Sequence, residues 1–410
     1  MIHSLRNDAN AIIRASLAAV QPDEAVQRAL RHFSPGKGRT VLVAAGKAAW
    51  QMADAAVKII GQVDAGIVIT KYDHVKAQIP GVQCYEAGHP VPDAKGVDAT
   101  EKALRLVSGL TKEDTVLFLL SGGGSALFEA PLIPLDELQN ITKQLLACGA
   151  DITEINTIRK RLSGVKGGRF ALKCAPAKVF SIVLSDILGD PLDMIASGPA
   201  YPDSSTCEQA FEIANKYQLR LSETAWQLLS EETPKTLDNV TTHIAGSVRE
   251  LCKAAASTCE ALGYQAFLLT DLLSCQAKEA GSFLASIART HASAKKPMAF
   301  LAGGETVVQL TGAGKGGRNQ ELALSAAAGI EGLENVLIFS LGSDGTDGPT
   351  DAAGGMVDGT TAAALRQQGI SIHQVLRDND AYHALASVDG LIVTGPTGTN
   401  VNDICVVLIR

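Results

Sequence analysis

Apolar segments of strand length alternate with amphipathic helical segments along this chain, and most strand-like segments end in glycine or charged residues. The clearest junctions are Thr40–Ala45 followed by Gly46 and Lys47, Thr115–Leu120 followed by Ser121–Ser125 (SGGGS), and Lys178–Leu184 followed by Ser185 and Asp186. Such alternation is typical of an α/β architecture with largely parallel strands. Because ligands bind beyond the carboxyl ends of strands in such sheets, the strand-end residues are the first candidates for a functional site.

The chain has 410 residues, which is enough for two or three domains. The pattern loosens near residues 230–240, around Pro234, and a second set of strands and helices follows. Its strands are predicted at Gln265–Thr270, Pro297–Ala302, Val307–Leu310, Asn335–Leu341 and Ile404–Ile409. We therefore predict an N-terminal α/β domain over 1–237 and a smaller C-terminal α/β domain over 238–410.

The charge and the apolar content of the chain limit the kinds of partner that it can bind. Lys and Arg total 36 against 43 Asp and Glu, for a net charge of −7. A mildly acidic chain lacks the basic surface of a general nucleic-acid binder, so no nucleic-acid partner is expected. The apolar runs are far shorter than the roughly 20 residues of a membrane span, and no signal peptide is recognisable. We therefore expect no membrane partner, a cytoplasmic protein and reduced cysteines.

Two strand-end motifs in the first half favour an anion site. The glycines Gly122, Gly123 and Gly124 allow positive φ angles, and their backbone N–H groups can form a nest for phosphate or carboxylate. The alternative is a flexible turn between strand and helix. Lys47 follows Gly46 at the start of a helix, where the helix dipole disfavours a cation. Its ammonium either holds an anion or extends into solvent.

The segment Gly312–Gly317 in the second half formally matches GxGxxG, a dinucleotide-binding pattern. It contains Lys315 and is followed by Arg318 and Asn319, and the next acidic strand-end residue, Asp344, comes later than the usual spacing of about 20 residues. We therefore interpret the segment as an anion-binding loop in which Arg318 contacts carboxylate or phosphate. The alternative for Arg318 is a surface salt bridge.

Carboxylates cluster at two further strand ends, with Asp186 and Asp190 after one strand and Asp344 and Asp347 after another. Oxygen ligands of this kind suit Mg²⁺, which usually takes one or two carboxylates together with phosphate oxygens. The alternative is turn chemistry, in which Asp-Gly pairs are common. Arg159 lies in a short basic run that is either near an anionic ligand or on a solvated helix face.

Taken together, these motifs occur in the order found in a known enzyme family. The chain resembles the glycerate 2-kinase family with a MOFRL C-terminal domain, and the resemblance runs in order from about residue 5 to 410. The motifs that carry it are 46–49 (GKAA), 88–93 (GHPVPD), 121–126 (SGGGSA), 156–159 (NTIR), 185–190 (SDILGD), 303–306 (GGET), 317–321 (GRNQE), 343–348 (SDGTDG) and 394–403 (TGPTGTNVND).

The resemblance implies phosphorylation of D-glycerate by ATP on the 2-hydroxyl, with a divalent metal such as Mg²⁺. It implies a Rossmann-like N-terminal domain, a smaller C-terminal α/β domain, an active site in the cleft between them, and Lys47 and Arg318 as critical cations. Motifs and resemblance together give the expected site: Lys47, Arg318 and Asp186 as catalytic residues; Gly46, Ser121, Gly122, Gly123, Gly124, Ser125, Arg159, Glu305, Lys315 and Asn319 as substrate or nucleotide ligands; Asp190, Asp344 and Asp347 as metal ligands.

Two other functions stay open at this point. The first is an NAD(P)H-dependent hydroxypyruvate reductase that uses the 312–317 segment. The second is a non-catalytic binder of a small phosphorylated acid. Only the resemblance selects the 2-hydroxyl over the 3-hydroxyl, and the residues leave open which carboxylate is the base and whether the protein is a homodimer.

Overall fold

The computed structural model describes residues 2–410, and the contacts among them divide the chain into two compact units. The first unit is Ala25–Ala245, and the second combines the residues up to Glu24 with Gly246–Arg410. Both are α/β, and the predicted fold class is confirmed. None of the helices in residues 2–410 has the length and apolar character that a membrane crossing requires.

The first unit is built on a six-stranded sheet with the order β3-β2-β1-β4-β5-β6. The strands are β1 (Thr40–Ala45), β2 (Ala65–Lys71), β3 (Val82–Ala87), β4 (Thr115–Leu120), β5 (Lys178–Leu184) and β6 (Val240–Gly246). The four neighbouring pairs from β3 to β5 are parallel. This is the Rossmann strand order, in which the chain changes direction across the sheet between β1 and β4.

Helices flank this sheet. They are α2 (Pro22–Leu30), α3 (Ala49–Ile60), α4 (Ala94–Val107), α5 (Gly124–Leu127), α6 (Leu135–Ala147), α7 (Ile152–Arg161), α8 (Arg169–Cys174), α9 (Cys207–Lys216) and α10 (Glu223–Leu229). Successive side chains of a strand point to opposite faces. Accordingly, Val41 and Val43 of β1 belong to one core, and Leu42 and Ala44 belong to another. Burial on both faces explains why β1 is a continuous apolar run.

The second unit contains a six-stranded sheet with the order β11-β10-β9-β12-β8-β7. The strands are β7 (Gln265–Leu273), β8 (Met298–Gly304), β9 (Val336–Gly342), β10 (Gly354–Asp358), β11 (Leu391–Ile392) and β12 (Asp403–Ile409). The helices are α1 (Ile2–Ala19), α11 (Val248–Ala261), α12 (Ala277–His291), α13 (Arg318–Gly329), α14 (Thr361–Gln367), α15 (Ile372–Asp378) and α16 (Ala381–Ala386). The last strand, β12, lies antiparallel between β8 and β9.

The second sheet differs from the parallel pairing that the strand–helix alternation suggests. Only β7 and β8 pair in parallel there, whereas β9 pairs antiparallel with both β10 and β12. Residues Val307–Leu310, predicted as a strand, form no strand; only Val307 makes an isolated bridge, and Leu310 is 81% exposed. Because strands buried on both faces are apolar throughout, the sequence does not reveal their direction.

The units also differ from the predicted ranges 1–237 and 238–410. The first sheet continues to β6, which follows residue 237 and lies beside β5. Helix α1 belongs to the second unit, where Arg6 pairs with Asp358 at 3.2 Å and the Tyr264 hydroxyl donates to Asp8 at 2.6 Å. The chain therefore begins in the unit in which it ends.

Candidate active site

The loops that follow β1 and β4 are hydrogen-bonded to each other. In the register of this pair, Ala45 lies opposite Leu120, so Gly46 and Ser121 leave the sheet together. The Lys47 N–H donates to the Gly122 carbonyl at 2.9 Å, and the Ala48 N–H donates to Ser121 Oγ at 3.0 Å. The structure thus brings Gly46, Lys47 and the 121–125 turn to one place, at the change of direction where Rossmann sheets bind ligands.

Glycine is required at position 46. Its φ is +123°, a backbone conformation that side chains rarely adopt. A Cβ at this position would lie 2.3 Å from Ser121 Oγ and 2.5 Å from the Ser121 carbonyl oxygen. The close approach of the two loops therefore depends on the absence of a side chain.

Replacing Gly46 by alanine is expected to destabilise the protein and to displace the 121–125 turn. The added methyl group meets backbone as well as a side chain, so the cost should be about 2 kcal/mol or more of unfolding free energy. Urea denaturation of wild type and Gly46→Ala measures this. Gly109→Ala is the matched control, since Gly109 also has a positive φ but an added Cβ would meet nothing within 4 Å. Equal losses in the two variants would contradict the packing argument.

The 121–125 turn leaves several polar groups available to a ligand. Gly123 has a φ of +84° and precedes α5. Among the described residues, the N–H groups of Gly123 and Ser125 have no hydrogen-bond acceptor, and the exposed Lys47 ammonium has no hydrogen-bond or ion-pair partner. A flexible cation beside unpaired backbone donors is suited to binding an anion.

His89 adjoins this turn, and the sequence argument missed it. A Cβ built on Gly123 would lie 3.0 Å from His89 Cδ2 and 3.1 Å from Lys47 Cγ, so both side chains pack against that glycine. Burial lowers the pKa of the half-buried His89 ring, and the charges of Lys47 and Lys71 lower it further. The only signal was the motif 88–93, whose two prolines indicate a rigid turn.

Asp186 and Asp190 follow β5, the strand next to β4. Asp186 packs so closely on Gly122 that a Cβ there would lie 2.1 Å from Oδ2. Asp190 has a positive φ of +53°, and its Oδ1 is buried without a hydrogen-bond partner among the described residues. These two carboxylates fit a role at the ligand edge of the first sheet.

Arg159 is largely buried and contacts the 121–125 turn, so it does not lie on a solvated face of its helix. Its guanidinium, on α7, donates to the Ser125 carbonyl at 2.8 Å and lies 4.0 Å from Glu129. Glu129 in turn pairs with the fully buried Lys166 at 2.6 Å. Burial lowers the pKa of Lys166 to about 8 and also lowers that of Arg159. Arg159 thus contacts Ser125 of the turn, and its predicted contact with the ligand stays a prediction.

In the second unit, Arg318 opens α13 and is held by two carboxylates. Its Nε and Nη2 donate to Asp403 at 2.5 and 3.0 Å, and its Nη1 donates to Glu305 at 3.1 Å. Burial opposes the charge, but the hydrogen bonds and charge of Asp403 raise the pKa of Arg318 above its usual range. The side chain is still 33% exposed, so a guanidinium edge can reach a ligand.

The glycine-rich segment 312–317 packs against residues 378–380, and several of its backbone N–H groups are hydrogen-bonded there. The N–H groups of Gly312 and Lys315 donate to Asn379 Oδ1 and Asp380 Oδ1, each at 2.9 Å. A Cβ at Gly312 would lie 2.4 Å from the Asp378 backbone. The Lys315 ammonium sits 4.4 Å above the Tyr382 ring. The predicted anion-binding loop is therefore wrong for these amides, which are already occupied.

Asp347 and Asn319 stabilise the start of α13. Asp347 accepts hydrogen bonds from the Asn319 and Gln320 N–H groups at 3.1 and 2.9 Å, and Asn319 Oδ1 accepts one from Ser340 at 2.6 Å. Both residues are buried. Asp344 Oδ1 accepts from the Thr346 N–H at 3.0 Å, the bond of an Asx turn. These contacts engage Asn319 and Asp347 within the second unit, whereas Asp344 uses only one carboxylate oxygen; the ligand role of Asn319 and the metal-ligand roles of Asp344 and Asp347 stay predictions.

The described residues include no group of three or more His, Cys, Asp or Glu side chains that could hold a metal ion. A protein-built metal cage does not fit this arrangement. A metal that arrives on phosphate oxygens needs only one or two carboxylates, and the unpartnered oxygen of Asp190 fits such a single contact.

Asp347 makes the stability of the second unit dependent on pH. Burial raises its pKa to about 6, against an ordinary 3.8, although the amide hydrogen bonds oppose the shift. Between these values the folded state holds the proton more tightly than the unfolded chain, so the group's contribution to stability falls as pH rises, by about 1.4 kcal/mol per pKa unit. The difference in unfolding free energy between wild type and Asp347→Asn should therefore fall from pH 4 to 6 and stay level above. A constant difference would contradict this.

The comparisons with known proteins agree with both units. Residues 8–230 match a family described as a domain of unknown function (DUF4147), and residues 298–403 match the MOFRL family. A Thermotoga maritima protein named D-glycerate 2-kinase is 52% identical over 99% of both chains. The crystal structure of a Thermotoga maritima glycerate kinase superposes with a TM-score of 0.95, 51% identity and complete coverage of both chains.

Two relatives from Agrobacterium vitis have a different name. An Agrobacterium vitis protein, 38% identical over 91% of this chain and the whole of its own length, has a provisional hydroxypyruvate reductase name. The similarity at higher identity is to proteins named as kinases. In the 312–317 segment, the N–H groups of Gly312, Gly314 and Lys315 are already hydrogen-bonded within the chain and do not point to a dinucleotide pyrophosphate. The reductase alternative is therefore not favoured.

Proposed function

Because the chain belongs to the glycerate 2-kinase family, we propose that it transfers the γ-phosphoryl group of ATP to the 2-hydroxyl of D-glycerate. The 2-hydroxyl oxygen bonds to the γ-phosphorus, the bond from that phosphorus to the ADP oxygen breaks, and the hydroxyl proton passes to a base. The products are 2-phosphoglycerate and ADP. Such a transfer depends on positioning and charge neutralisation more than on a protein nucleophile.

The observation that carries this proposal is the unpaired Lys47 ammonium beside the unpaired N–H groups of Gly123 and Ser125. Fixed donors aimed at developing negative charge are the strongest catalytic aid a protein offers to such a reaction. We assign Lys47 and the 121–125 turn to the transferring phosphoryl group, because unpaired backbone N–H groups beside a cation suit phosphate.

Arg318 is the cation that the second unit offers to an anionic ligand in this proposal. Because Asp403 and Glu305 fix three of its nitrogens, its orientation is set before a ligand arrives. A guanidinium held in this way presents its remaining donors in a fixed plane, which suits a carboxylate or phosphate. Glu305 thus acts through Arg318, and not as an independent ligand-binding residue.

Asp186 is the base in this proposal. It lies beside Gly122 at the end of β5, close to the turn that holds the anion. Asp190, whose Oδ1 is buried and unpartnered among the described residues, would supply one oxygen ligand to a Mg²⁺ ion bound to the ATP phosphates. The metal neutralises phosphate charge when it is bound.

A pair of assays tests the function. Purified protein with D-glycerate and Mg-ATP should release ADP, followed with a coupled enzyme assay. The same protein with hydroxypyruvate and NADH should leave the absorbance at about 340 nm unchanged. NADH oxidation without ADP release would favour the reductase. Tight binding of glycerate without turnover of either pair would favour the non-catalytic binder.

A further inference from the structure

We infer that His89 contacts the ligand: its imidazole donates a hydrogen bond to an oxygen of the phosphoryl group that Lys47 and the 121–125 turn hold. This inference rests on the proposed function, because it adds a contact to the same anion site. The histidine belongs to the 88–93 motif, which the proposed function leaves without a role.

The geometry places the ring at the turn. A Cβ on Gly123 would lie 3.0 Å from His89 Cδ2, 3.1 Å from His89 Nε2 and 3.1 Å from Lys47 Cγ. Gly123 is therefore flanked by an imidazole and a lysine stem. A ligand that bonds the Gly123 N–H comes within reach of both side chains.

The imidazole has no other bonding role in residues 2–410. Neither ring nitrogen of His89 has a hydrogen-bond partner there, although the residue is half-buried. His74, in the same unit, differs in this respect, because its Nδ1 contacts the Tyr72 carbonyl at 3.0 Å. The unpaired imidazole and the unpaired N–H groups of Gly123 and Ser125 can therefore all donate to one ligand.

The charges around the ring suit donation to an anion. The charged groups that face it are Lys47, from the loop after β1, and Lys71, at the end of β2, and both disfavour a protonated ring. A neutral imidazole keeps one N–H to donate. A bound phosphate brings negative charge beside the ring, which favours protonation. Anion binding and proton binding at His89 are therefore coupled, and each strengthens the other.

Nuclear magnetic resonance of the full-length protein, with ¹³C-labelled histidine, measures this coupling directly. His89 is assigned from the signal lost in His89→Asn, and His74 serves as the internal control. In the free protein, the pKa of His89 should lie below the ordinary histidine value. Addition of ADP or of inorganic phosphate should raise the pKa of His89, whereas the signals of His74 at a fixed pH should not move. An unchanged His89 titration with both probes would overturn the inference.

Kinetics separate this inference from the proposed function. His89→Leu should lose about 10- to 100-fold in kcat/KM, the value of one hydrogen bond to a charged group. His89→Gln, which keeps a donor, should recover part of the loss, and His74→Asn should behave as wild type.

If wild type is active and Lys47→Ala is not, but His89→Leu keeps wild-type kcat/KM, the inference on His89 fails alone. If wild type releases no ADP, the proposed function fails. If His89→Leu does not fold, the titration of the wild-type protein still decides.

Discussion

Replacing Lys47 by alanine is expected to lower kcat/KM for D-glycerate phosphorylation by at least about 100-fold, the usual loss when one fixed charge-stabilising donor is removed. The unfolding free energy should change by less than about 0.5 kcal/mol, because Lys47 is exposed and has no partner among the described side chains. The substitution should therefore lower activity strongly and leave stability almost unchanged. Steady-state kinetics and urea denaturation on the same preparations measure the two effects.

Lys112→Ala is the matched control for Lys47→Ala. Lys112 is an exposed lysine of the same unit and lies before β4, at the opposite end of the strand from the 121–125 turn. It should keep wild-type activity and stability. If Lys47→Ala also kept kcat/KM within threefold of wild type, the assignment of the anion site would be wrong.

Replacing Arg318 by alanine is expected to lower both activity and stability. Turnover should fall about 100-fold or more, because a pre-oriented guanidinium is lost. The unfolding free energy should fall by about 3 kcal/mol, because the buried Asp403 is left without its bidentate partner. Arg318→Lys keeps the charge but not the planar pair of donors, so it should recover only part of the activity.

A second substitution separates the two effects of Arg318→Ala. Adding Asp403→Asn removes the stranded carboxylate, so the double variant should regain stability but not turnover. The control is Arg366→Ala, since Arg366 forms an exposed pair with Glu331 and should lose about 1 kcal/mol at most. Recovery of turnover in the double variant would mean that Arg318 serves only to neutralise Asp403.

The ends of β1 and β4 could be predicted from the sequence, because strands that are buried on both faces are continuous apolar runs. β1 and β4 are apolar on both faces and are followed by Gly46 and Ser121, so Thr40–Ala45 and Thr115–Leu120 were predicted with their true limits. The strand order, which brings Gly46 beside Ser121, depends on pairing between distant segments and leaves no local signal. The strand β3 (VQCYEA) was missed because it is a partly exposed edge strand with mixed polarity.

The second unit shows where the same reasoning fails. Glycines at 312 and 317 are compatible with a nest for a ligand and with close packing against the chain itself, and only the tertiary contacts with Asp378 and Asp347 decide between them. Likewise, an aspartate after a strand can bind metal or cap a helix, and Asp347 caps α13. His89 was missed because its importance comes from Gly123, which is distant in the sequence.

The position of the transferred phosphoryl group tests the central claim most directly. Proton-coupled ³¹P nuclear magnetic resonance of the product of D-glycerate and Mg-ATP distinguishes the two hydroxyls, because C2 carries one proton and C3 carries two. We predict a phosphomonoester doublet, as for 2-phosphoglycerate, together with ADP. A triplet, as for 3-phosphoglycerate, or no new phosphomonoester would contradict the account.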